Sequence, residues 1–345
     1  MKDLLIVGSV PLQTPTDVFE ICRDHISDSL ACMPDGETGE RIWWTNFLAY
    51  RCYHGHPDID TLLRPEKVDD IPQWMPIGLE DMWNFKVKNG VDKLRLGDPG
   101  YASIAIDSYR AFEAMQQTGS IPADMRFMFA LPLTNSATDV FFRDPVDYPT
   151  IHPAYEDLAR RTIDKMLEHI PPEKLVIQWD VCVEVLDIEG LFPWTPQDNK
   201  FERNTEAARL SAEIPESVQI GYHLCYGTLG GWPMLPPPSL DVCTRMSNTI
   251  VASSGRRVDY VHMPAPRDAD DTYFAPLANL DIGDTKVYLG VIHAEDGVDT
   301  HLRRIETAKR HLTNFGIAGV CGFGRHQRDD MPHIFKLQRQ IIDAM

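Results

Sequence analysis

Residues 223–225 read His-Leu-Cys and run into a glycine-rich turn. Side chains two apart on a strand point to the same side. An imidazole and a thiolate so placed suit Zn2+, which takes nitrogen and sulfur ligands in a tetrahedral shell. Two ligands alone do not hold the ion. Other apolar runs also end in residues able to do chemistry: "RVDYVH" ends at His262, "KVYLGVI" leads into His293, and "IAGVC" ends at Cys321. Acids occupy comparable places, with Asp180 closing "KLVIQWD", Glu184 just beyond it, and Glu37 within "PDGETGER". If these runs end at one mouth, His262 and Cys321 can converge on His223 and Cys225 as the missing ligands. An ion held there would lower the pKa of a bound thiol or water and create a nucleophile at neutral pH. His293 is then the candidate proton donor to a leaving group, while Glu37 and Asp180 are candidates to clamp a substrate ammonium.

The elements that would bring these ends together follow from the hydropathy pattern. Eight short β-rich runs, over 3–8, 29–33, 126–131, 174–179, 217–222, 257–262, 286–292 and 317–321, each predict a strand. Helical periodicity lies between them, over 17–26, 102–117, 153–169, 202–213, 239–253, 299–314 and 333–344, with Pro153 at the start of its segment. Eightfold strand–helix alternation predicts a single (β/α)8 TIM barrel over 1–345, whose chemistry gathers at the C-terminal strand ends. An open nucleotide-binding sheet would call for G-x-G-x-x-G after the first strand, and "GSVPLQT" does not supply it. Roughly ninety residues separate strands two and three. A stretch that long predicts a lid or subdomain inserted at 54–101.

Composition narrows the partners. The chain has 345 residues, 43% of them hydrophobic, and a formal charge of −18. Such an acidic surface repels phosphate backbones and anionic lipid, so neither nucleic acid nor a membrane is the expected partner. No run approaches the ~20 apolar residues of a membrane helix, and the opening residues lack a signal-peptide pattern. Seven scattered cysteines, an odd number, point to reduced thiols and a cytoplasmic setting.

Six motifs in order resemble the C-terminal catalytic barrel of cobalamin-independent methionine synthase, within the superfamily that this barrel shares with uroporphyrinogen decarboxylase. They are "GSVPLQT" (8–14), "DGETGER" (35–41), "IQWD" (177–180), "HLC" (223–225), "VIHAE" (291–295) and "VCGFGR" (320–325). The resemblance implies that Ser9 helps bind an amino-acid carboxylate, Glu37 the amine, and Asp180 the same substrate. It further implies His223, Cys225 and Cys321 as zinc ligands and His293 as proton donor. Glu184 and Arg325 stand beside these motifs as candidate substrate contacts, Arg325 for an anion. The sequence also departs from the family. A Glu ligand on strand six gives way to "YVHMPAP", leaving His262 or a neighbour to serve. The segment carrying the folate-packing Trp reads "LPLTNSATD" (131–139), "IQWD" is not followed by Glu-Pro, and nothing corresponds to the N-terminal barrel of the full-length enzyme.

The expected activity is zinc-dependent transfer of an alkyl group, such as methyl, to a thiol, by a transferase that does not use folate. Two alternatives remain open at this stage: a lyase, decarboxylase or hydrolase using zinc-activated water, and a non-catalytic metal-binding relative.

Overall fold

The computed structural model describes residues 3–66 and 75–345. Ten strands form in chain order: β1 (Leu4–Leu5), β2 (Met33–Pro34), β3 (Ile59–Leu63), β4 (Asn84–Val87), β5 (Phe127–Pro132), β6 (Leu175–Val181), β7 (Gln219–Leu224), β8 (Tyr260–Pro264), β9 (Lys286–Ile292) and β10 (Gly316–Gly319). Eight of them make one all-parallel sheet in the order β1-β10-β9-β8-β7-β6-β5-β2. The seam between its edges is bridged by Leu4 and Leu30, whose neighbours exchange backbone bonds (Leu4 N to Ser29 O, 3.0 Å; Ala31 N to Leu4 O, 2.8 Å). The expected TIM barrel is therefore the architecture found.

The ladders of the first two strands are shorter than the sequence predicts. Residues 29–31 pair with β1 while 33–34 pair with β5, so one short run serves both sides of the seam. Among the helices, the expectation that Pro153 begins its segment is corrected. The helix runs Tyr148–Leu167 with Pro149 in its first turn and Pro153 inside. The 202–213 segment divides into an α-helix (Lys200–Thr205) and a 3-10 stretch (Glu206–Glu213), and the 299–314 helix ends at Lys309.

Between β2 and the helix Tyr101–Gln117, β3 and β4 form an antiparallel pair. Part of the expected 54–101 insertion, residues 67–74, lies outside the described residues. The pair is anchored by aromatic packing: Phe85 stacks on Trp83 at 5.5 Å and meets Tyr53 edge-on at 5.6 Å, while Phe85 N donates to Phe141 O.

Inside the barrel the strand alternation sorts residues into layers. The lower plug includes Leu5, Val7, Met128, Val176 and two tyrosines, Tyr260 and Tyr288, edge-to-face at 5.7 Å. Those rings need space that glycines leave. A Cβ at Gly221 would lie 1.9 Å from the Tyr260 ring, and one at Gly316 would lie 2.3 Å from the Tyr288 ring. The Tyr260 hydroxyl donates to Gln178 Oε1 at 3.0 Å, and Gln178 Nε2 donates upward to Asp180 at 2.9 Å. The plug thus holds an acid of the layer above. Gly221→Ala should overpack this layer and lower unfolding free energy by about 1–3 kcal/mol, read as an earlier denaturant midpoint. A midpoint equal to wild type would show that Tyr260 yields without loss.

Candidate metal centre

Register builds the upper layer. In β6, β7 and β8 the paired residues are Asp180 with His223 and His223 with His262, so three polar side chains stand in a row across neighbouring strands. Two residues beyond His223, Cys225 keeps the same inward phase, and the turn after β10 brings in Cys321. Donor atoms of His223, Cys225 and Cys321 all lie within 4.8 Å of one another. The two sulfurs are 3.3 Å apart, and Cys321 Sγ is 3.8 Å from His223 Nε2.

The donor set fits a metal of the zinc class: one imidazole nitrogen and two sulfurs, with no carboxylate among them. Its electrostatics fit as well. Crowding by a neighbouring thiol (Cys182 beside Cys225, Cys225 beside Cys321), reinforced by burial, pushes both Cys225 and Cys321 well above the ordinary thiol range. Burial, with His262 adding to it, holds His223 well below the ordinary imidazole value. The three are therefore uncharged when alone, and a cation at their centre would supply what the thiolates lack.

His262 is not brought into this group. Its Nδ1 lies 2.7 Å from His223 Nδ1 and its Nε2 3.0 Å from Gly319 O, so both ring nitrogens are engaged behind His223. Burial lowers its pKa to about 4. Expected as a ligand, it stands outside the clustered donors and against His223.

Two acids share with this donor group the lining of a cavity of about 120 Å3. Glu37 and Asp180 both line it and are almost fully buried. Glu37 adopts φ +46°, a left-handed conformation that costs a non-glycine residue free energy. Its backbone N–H donates to Asp35, which is locked in a buried ion pair with Arg41. Desolvation raises the pKa of both cavity acids, and in Glu37 the nearby Asp180 charge adds to the rise. Gln178 and Arg41 offset part of this rise, and two buried acids so close still favour either a shared proton or a cationic guest.

Ser9 lines the same cavity in a loop that interlocks with the turn after β10. Phe323 N donates to Ser9 O at 2.6 Å, and a Cβ at Gly322 would lie 2.5 Å from Ser9 N. Arg325 reaches the exposed rim, its guanidinium 4.6 Å from the Trp43 ring centroid. Two further candidates fall elsewhere. Glu184 accepts from Ser136 N at 2.9 Å and from its hydroxyl, tying a buried helix start rather than lining the cavity. His293 is buried outside the lining, with Nε2 2.9 Å from Ala265 O and Trp232 edge-on at 5.7 Å. Burial lowers its pKa to about 4.

Sequence reasoning passed over other lining residues, Cys182, Trp43 and Trp44 among them. Cys182 follows Asp180 in the same inward phase, a signal present in the sequence. Trp43 and Trp44 come from a short 3-10 turn after "DGETGER" that no periodicity marks.

No protein-family model matches the chain, and no curated protein matches it in sequence. Solved structures do match in shape. A B12-independent methionine synthase from Shewanella sp. W3-18-1, in complex with selenomethionine, superposes with TM-score 0.64 at 12% identity, over 100% of this chain and 98% of that one. A putative vitamin-B12 independent methionine synthase from Listeria monocytogenes gives 0.57 at 14% identity, over 97% and 96%. This chain has the barrel fold of these methionine synthase structures along its whole length.

Proposed function

We propose that the chain transfers a small alkyl group, methyl in the simplest case, to the thiol of an amino-acid substrate such as homocysteine. The observation that carries this reading is the His223–Cys225–Cys321 donor group lining one cavity together with two buried acids. A methionine synthase structure with the same fold and a bound selenomethionine adds support for an amino-acid guest. Zn2+ held by His223, Cys225 and Cys321 would supply a Lewis acid that lowers the pKa of a substrate thiol.

The chain's own residues divide the remaining work. Glu37 and Asp180 bind the substrate ammonium, which supplies the positive charge their burial calls for. Ser9 and Arg325 take the carboxylate or another anionic end from the rim. In the transfer, the thiol loses its proton, its sulfur forms the new S–C bond, and the bond from carbon to the donor breaks with its electron pair leaving on the donor. That leaving atom takes up a proton from the solvent that receives the thiol proton, since the ammonium occupies the Glu37–Asp180 pair and His293 lies outside the cavity lining. The 54–101 segment acts as a lid, since Met75, Pro76, Leu79 and Met82 form part of the cavity wall. None of the seven cysteines is in a disulfide, which supports the expectation of a reducing cytoplasm. Among the described residues no helix is long and apolar enough to cross a membrane.

Elemental analysis of the isolated protein tests the metal: about one zinc per chain is expected, lost in both Cys225→Ala and Cys321→Ala. Homocysteine should then change the absorption of the cobalt-substituted protein. Metal-free wild type would overturn the zinc reading, and a metal that ignores thiols would favour activated-water chemistry instead.

The acids give a second test. Asp180, with its pKa raised to about 7, keeps a proton in the folded chain where the unfolded chain has released it. Its contribution to stability is therefore present below the unfolded value and lost as pH rises toward 7. Buried histidines of lowered pKa act in the opposite sense, so the comparison must be differential. Asp180→Asn should gain stability relative to wild type as pH climbs from about 4 to 7 in denaturant titrations. A difference independent of pH would show that Asp180 is ionised in the free protein.

A further inference from the structure

We infer that His262 is the residue that fixes the tautomer of His223, keeping the proton on His223 Nδ1 and the lone pair of Nε2 turned toward Cys225 and Cys321. The inference rests on the metal reading of that donor group, but its logic uses only hydrogen-bond roles. Gly319 O can only accept, so His262 Nε2, 3.0 Å away, carries the hydrogen. The Leu224 carbonyl also lies near the ring, but the carbonyl contact of hydrogen-bonding geometry is the one to Gly319 O, and a neutral imidazole with its one N–H spent there leaves Nδ1 bare. His223 Nδ1 sits 2.7 Å from that bare nitrogen and must donate to it. His223 Nε2 is then unprotonated, 3.8 Å from Cys321 Sγ, in the form a metal requires. The reverse assignment would set a lone pair of His262 against the carbonyl of Gly319 and a hydrogen of His223 against the sulfurs.

The fold makes a place for this chain of bonds. A Cβ at Gly290 would fall 2.7 Å from His262 Nε2 and 2.9 Å from Gly319 O, so only glycine leaves room for the ring and its acceptor. Pairing between β9 and β10 loses its regular register between Ala318 and Gly319, next to the carbonyl that receives the His262 hydrogen. The two rings lie 4.7 Å apart at 48°, in contact yet tilted rather than stacked. His262 is thus a positioning residue that acts on the metal through His223.

The test is long-range proton–nitrogen NMR on metal-free protein with 15N-labelled histidine rings, His223 being assigned by its loss in His223→Gln. Wild type should show His223 protonated at Nδ1 alone and His262 at Nε2 alone. Protonation of His223 at Nε2 would overturn the inference without any variant. In His262→Phe the His223 proton should redistribute between its nitrogens, and zinc affinity, read by competition with a chromogenic chelator, should fall about 10–100-fold. His262→Asn, whose side-chain oxygen can accept in the Nδ1 position, should restore the His223 tautomer and most of the affinity. Unchanged tautomer and affinity in His262→Phe would refute the role. If that variant does not fold, the wild-type spectrum still decides. Wild-type chain that shows the expected tautomers but takes up no zinc would sink the functional reading and leave the tautomer assignment standing.

Discussion

The site depends on parallel register. Asp180, His223 and His262 face one another because β6, β7 and β8 pair residue for residue at one level, with the same inward phase on each. A slip of one residue in any of these strands would turn its polar side chain outward into the helical shell and bring an apolar one into the mouth. The lower tyrosine layer works against such a slip. Gly221 and Gly316 receive the rings of Tyr260 and Tyr288, and neither ring has another place beneath the polar row. Packing at the bottom of the barrel thereby sets the chemistry at the top, and Gln178 joins the two with a hydrogen bond on each side.

The buried polar layer would be costly if it were left unsatisfied. Its members solve this in two ways. His262, Glu184 and His293 are closed by local partners: a carbonyl and a ring nitrogen, a serine, and a carbonyl. His223, Cys225, Cys321, Glu37 and Asp180 line the cavity, and of these His223 and Asp180 also hold a bond behind them, to His262 and Gln178. On the proposed function, a metal would complete the sulfur-bearing group and a substrate ammonium the two acids. The division between locally closed and cavity-lining polar groups separates scaffold from site more clearly than residue type does.

Much of this was legible in the sequence, and the exceptions have physical causes. The barrel and its strand ends could be read because apolar parallel strands are short and well bounded, and because ligands at i and i+2 share a face. That Cys225, Cys321 and Asp180 would meet at one mouth was legible for that reason, and they line one cavity. Glu184 was not, because the chain passes from strand to the helix Val183–Ile188 just after Asp180, and an alternation of two no longer predicts facing once the period becomes 3.6. His262 shares the level and phase of the ligands, so sequence alone could not show that Gly319 O and His223 would occupy both its nitrogens. His293 was misleading in the same way, since no pattern reveals that the carbonyl of Ala265 lies within reach. Trp43 and Trp44 belong to an irregular turn with a left-handed residue, Trp44 at φ +46°, which periodicity does not describe.

The interlocked loops after β1 and β10 also impose an order in time. Cys225 and Cys321 are 96 residues apart, and Ser9 meets the turn that follows Cys321 at the far end of the chain. At synthesis rates of about 5–20 residues per second, the His223–Cys225 pair emerges roughly 5–20 s before its third partner. Throughout that interval the chain carries two of the three clustered donors and an unclosed seam, until the last strand arrives and shuts the barrel and the cavity together.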